Sequence, residues 1–106
     1  MRVELLYADG DPAAMAARQN LVEVLTEDAF ETPIQMVAVA SEADAELLSM
    51  HGSPMIRIDG EDIDPAWSGP VGLAPRSYGG GGPVPDKDLI RRAVERARGW
   101  SHGRRP

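Results

Sequence analysis

The segment that most constrains this chain is Arg2 to Ala8, Arg-Val-Glu-Leu-Leu-Tyr-Ala. Val3, Leu5 and Tyr7 share one face of a strand, and Leu6 and Ala8 help make the other face apolar. A strand apolar on both faces belongs in the middle of a sheet covered on both sides. Asp9-Gly10 then turns the chain, and Asp11-Pro12 starts a helix. Asp is a favoured N-cap, and Pro at the first helical position loses no needed N–H. The helix is predicted to run to Thr26 or Asp28, with Ala14, Ala17, Leu21, Val24 and Leu25 on one buried stripe. Ile34 to Val39 is the next apolar strand. Strand, helix and strand in this order predict a parallel pair joined by a right-handed crossover.

The second half reads less sharply. Ser41 with Asp44 resembles a capping box for a short helix. Leu47 and Leu48 are predicted as its buried side and Gly52 as its end. His51 would then be a helix C-terminal residue, favoured there by the dipole. Met55 to Ile58 is a third strand, and Asp59-Gly60 is a hairpin turn signal. Residues 65–72 read as a Pro/Gly loop. Leu73 to Tyr78 is a candidate fourth strand, which Pro75 would place at an edge or bulge. Pro85-Asp86 opens a last helix with Leu89, Ile90, Ala93, Val94 and Ala97 on its apolar face. Residues 1–99 are read as one α/β domain of order β-α-β-α-β-β-α, with a central mixed four-stranded sheet flanked by helices. Residues 100–106 are read as a disordered basic tail, with Trp100 packing back on the last helix.

Composition narrows the chemistry. The 106 residues include no cysteine, which excludes a disulfide, a thiolate metal site and a cysteine nucleophile. No apolar run approaches the ~20 residues of a membrane helix, and no secretory signal is visible, so a cytoplasmic protein without membrane contact is expected. The formal net charge of −6 divides unevenly: residues 1–64 carry −11 and residues 65–106 carry +5. Arg91, Arg92, Arg96, Arg98, Arg104 and Arg105 concentrate the basic side. They read as a solvated helix face and tail, and the acidic remainder argues against nucleic acid as a partner.

No phosphate loop, nucleophile elbow or dinucleotide fingerprint is present. The run Gly79 to Gly82 lacks the Lys-Ser or Lys-Thr that a phosphate loop needs. His51 and His102 are the only histidines, and with Asp59, Glu61, Asp62 and Asp64 they fit no metal template. Neither a metal nor a cofactor is expected.

Three segments resemble a group of small bacterial thioredoxin-like proteins, some associated with alkylmercury lyase. They are the first strand with Asp9-Gly10-Asp11-Pro12, then Gly52-Ser53-Pro54-Met55-Ile56-Arg57-Ile58-Asp59-Gly60, then Gly72-Leu73-Ala74-Pro75-Arg76-Ser77-Tyr78. The resemblance covers residues 2–98. It implies a thioredoxin-like fold, a cis bond between Ser53 and Pro54, and a cleft where helix one meets the loop before strand three. Asp11 and Pro75 stand where the family has its cysteines. Thiol–disulfide exchange needs a thiolate and a second sulfur, so that activity does not carry over.

What remains is a set of candidates. Asp11 reads as a helix cap or as a carboxylate acting as acid, base or ligand. Asp9 reads as a turn residue or as the second member of a carboxylate pair. Ser53 and Pro54 offer backbone groups on which an extended peptide can pair. Arg76 and Tyr78 match family positions near the cleft, Arg76 as an anion anchor or as a surface Arg paired with an acid. Trp67 reads as a partner anchor or as a lid over the core. The favoured function is a redox-inactive module binding a small molecule, peptide or partner protein at this cleft. The alternatives are a non-redox enzyme using Asp9 or Asp11 as acid–base, and a homodimeric interaction module joined through a sheet edge or helix face.

Overall fold

The computed structural model describes residues 1–27, 32–67, 69–78 and 81–98. The tail 100–106 with Trp100 and His102, and Asp28, Gly79 and Gly80, lie outside the described residues. The elements are β1 (Val3–Ala8), α1 (Ala13–Glu27), β2 (Ile34–Val39), α2 (Glu42–Leu47), β3 (His51–Ser53), β4 (Met55–Ile58), β5 (Glu61–Asp62), β6 (Gly72–Pro75) and α3 (Lys87–Ala97).

β1 is central, as its two apolar faces require. The main sheet has the order β2-β1-β4-β5, with β2 parallel to β1 and β4 and β5 antiparallel to their neighbours. Val3 lies opposite Ile34 on one side and Ile58 on the other. On one face, Val3 and Leu5 join Ile56, Ile58 and the buried stripes of α1 and α3. Those stripes hold all five predicted residues of α1, and Ile90, Ala93 and Val94 of α3. On the other face, Leu6 packs with Val39, Ala45, Met50 and Met55. Each fully buried Leu, Ile, Val or Met contributes ~1.5–3 kcal/mol by leaving water, so both faces carry a share of the stability.

α1 and α3 are also tied by ion pairs, Glu27 to Arg91 at 2.9 Å and Glu23 to Lys87. Hydrogen bonding from Arg91 holds the Glu27 carboxyl below the usual range, and that from Lys87 does the same for Glu23. Asp86 caps α3, accepting the Leu89 N–H at 2.8 Å.

Four readings of the second half are corrected. Among the described residues four strands follow α2, and the fourth strand of the main sheet is β5, not Leu73 to Tyr78. Asp59 and Gly60, with φ of 53° and 86°, turn β4 straight back into β5. Gly72 to Pro75 instead pairs in parallel with β3 as a separate two-stranded sheet. α2 ends at Leu47, not at Gly52, because Ser49 takes the left-handed conformation at φ 52°. Its N–H donates to Glu46 O at 3.1 Å, and the Met50 N–H donates to Ala45 O at 2.8 Å. These are the two bonds of a Schellman ending. His51 therefore opens a strand, and Leu47 and Leu48 point outward, Leu47 being 84 % exposed. Among the described residues no helix is long and apolar enough to cross a membrane.

Candidate functional site

The turn after β1 and the junction of β3 with β4 meet at the start of α1. Asp11 caps that helix as the Asp-Pro pair predicts: the Ala13 N–H donates to Oδ1 at 2.9 Å. Its other oxygen, Oδ2, accepts the Ser53 hydroxyl at 2.5 Å. Ser53 Oγ in turn accepts the Ala8 N–H at 2.9 Å, so one hydroxyl bridges the end of β1 and the start of α1. Ser53 is buried, Asp11 is half-buried, and Asp9, Gly10 and Pro12 are exposed around them. The Ser53–Pro54 bond is cis. Asp9 holds the turn through its backbone, donating its N–H to Val39 O at 3.1 Å.

This arrangement joins Asp11, Ser53 and Pro54 in one place. It is a hydrogen-bonded pair of carboxylate and hydroxyl. The nearest histidine in sequence, His51, has its Nδ1 3.1 Å from Gly69 O. Among the described residues, the base within reach of the buried Ser53 hydroxyl, which is bonded in both directions, is the carboxylate it already donates to. One of the backbone groups offered for peptide pairing, the Ser53 carbonyl, is taken by the chain itself: the Arg76 N–H donates to it at 3.2 Å, and β6 runs along β3.

Arg76, Tyr78 and Trp67 form a second cluster on the far side of β3. The Arg76 side chain is wholly buried, not on a strand surface. It makes a forked pair with Asp62, at 2.8 and 3.3 Å, and donates to His51 O at 3.0 Å. The guanidinium lies 4.5 Å from the Tyr78 ring centre and 5.4 Å from that of Trp67. Stacking on π-faces suits a weakly hydrated guanidinium, and the fork neutralises it. Gly52 makes room for this packing: at φ +83°, a Cβ there would stand 2.8 Å from the Cβ of Arg76. The Tyr78 hydroxyl donates to Pro54 O at 2.6 Å, tying the cluster to the junction of β3 with β4. Burial pushes that hydroxyl's pKa well above the usual tyrosine range. Trp67 thus covers the buried pair rather than standing free as an anchor.

Asp62 is the partner of Arg76 that sequence reasoning does not reach. The sequence places it only among acids that fit no metal template, and its pairing with Arg76 depends on the β4–β5 hairpin. A surface depression lies elsewhere, between this hairpin and α3, where Asp59, Glu61 and Asp62 share the lining with Arg96. Among the described residues no group of three or more His, Asp or Glu is placed to hold a metal ion. No family model, no curated protein and no solved structure matches this chain.

Proposed function

We propose that this chain is a cysteine-free, thioredoxin-like domain that binds a small molecule, a peptide or a partner protein at the cleft beside Asp11 and Pro54. The supporting architecture is a β-α-β unit followed by an antiparallel hairpin and a closing helix, with α1 and α3 sharing one core. The observation that carries the reading is the Asp11–Ser53 contact. It supports the reading by bringing a carboxylate at the start of the first helix against the loop before β4, the position at which the resemblance implies a cleft. A domain without sulfur has no thiol chemistry there, and the helix end favours the negative charge. Exposed Asp9 beside half-exposed Asp11 gives the rim an acidic character suited to a cationic group on the ligand.

Native mass spectrometry of the purified chain, before and after incubation with lysate of its host, tests this. The expected result is a small-molecule or peptide adduct that is lost from Asp9→Arg, a change on an exposed turn. A spectrum holding only the bare chain overturns the reading.

A further inference from the structure

The two edges of the main sheet are built differently. β5 is two residues long, and both are acidic. A short, charged strand is one of the ways proteins keep an edge from pairing. β2 is six residues long, Ile-Gln-Met-Val-Ala-Val, with no charge, no Pro and no Gly. It pairs with β1 on one side and with no strand on the other among the described residues.

The ladder settles which backbone groups are free. In a strand, the N–H and C=O of one residue point to the same side, and successive residues alternate. The Val39 carbonyl accepts from Asp9 N, so Val39, Val37 and Gln35 turn their groups toward β1. Ile34, Met36 and Ala38 turn theirs outward. Each offers one donor and one acceptor, and unpaired backbone groups along an apolar strand template a further strand.

We propose that β2 is a homodimer interface, in which two copies of this chain pair antiparallel through their β2 edges about a two-fold axis at Met36. Side chains that face each other across an antiparallel pair lie on the same side of the sheet, which restricts the register. Met36 opposite Met36 of the partner subunit sets Ile34 against the partner's Ala38. All three outward residues then exchange both of their bonds, and no group at the edge is left over. The identity of the occupant follows from this self-complementarity: the strand meets its own sequence with no like charge opposed and no polar group buried unpaired. On the outer rows, exposed Gln35 comes to lie opposite the partner's Val37, where its amide remains at the surface. The result is a continuous eight-stranded sheet, with the core of α1 and α3 on the same face in both halves. This inference stands apart from the binding site proposed beside Asp11 and Pro54 and does not rest on its function.

Sedimentation velocity across a concentration series, with hydrogen exchange resolved by residue, tests it. The expected mass is twice the 11.4 kDa of the chain, with slow exchange at Ile34, Met36 and Ala38 that dilution to monomer abolishes. The double variant Gln35→Lys/Ala38→Lys alters two exposed side chains and should be monomeric at every concentration. Ala38→Pro removes an outward N–H while leaving the ladder to β1, and should weaken the dimer at least tenfold. A wild-type chain that stays monomeric overturns the proposal, as does a dimer that survives the double lysine variant. Slow exchange at these amides in a monomer would overturn it too, by showing that the chain covers its own edge.

Discussion

The Ser53 hydroxyl is used in both directions, as donor to Asp11 and as acceptor from Ala8. Ser53→Ala leaves a half-buried N–H and a carboxylate oxygen each short of a partner. It should cost about 1–3 kcal/mol, read from the urea midpoint, with an unchanged circular dichroism spectrum. Half of this contact was legible beforehand. Asp before Pro announces a cap from two adjacent residues, and a cap is what Asp11 is. Ser53 lies far along the chain, and only the finished sheet brings it to the helix. Arg76 shows the same division. Its pairing with an acid is a reading the sequence offers, but its burial depends on Asp62 from β5 and Trp67 from the following loop closing over it beside its near neighbour Tyr78.

Elements with a strong period were legible, and elements set by tertiary pairing were not. α1, β2, β4 and α3 follow from their apolar spacing and their Asp caps because a long stripe or an unbroken apolar run has one way to be buried. α2 is only six residues long, too short for a period, and it ends on a serine where glycine is the usual signal. The pairing of β3 with β6 leaves no trace in local sequence, since three- and four-residue strands carry almost no pattern. The corrected ending of α2 makes its own prediction. Leu47→Ala should change stability by less than about 0.5 kcal/mol, as befits an exposed side chain. Ser49→Gly should raise it by roughly 1 kcal/mol by relieving the left-handed backbone. Thermal melts of the two variants decide whether the helix stops at Leu47 or continues to Gly52.

At the scale of the molecule, stability is divided between two cores on opposite faces of one sheet, with the Tyr78 hydroxyl and the buried Arg76–Asp62 pair beside the junction of β3 with β4. Tyr78 couples that junction to pH. Burial raises its pKa in the folded state, whereas an unfolded tyrosine ionises near ~10. The unfolded chain therefore loses this proton first. The stabilisation is fully present below pH ~10 and is lost as pH rises beyond it, by at most about 1.4 kcal/mol per pH unit. Urea midpoints measured from neutral pH upward should fall in that window, and the fall should be smaller in Tyr78→Phe. The placement of β1 has a further consequence, for the order of assembly. Chains are synthesised from the N-terminus, and β1 leaves the ribosome before either of its neighbours. Its sheet cannot form until residues 34–39 and 55–58 have followed, because those segments supply its two sides. Contacts so distant in sequence slow folding. The strand that organises the native sheet thus waits for both, an apolar ribbon open along its two rims, which makes β1 the segment of this domain most in need of a chaperone.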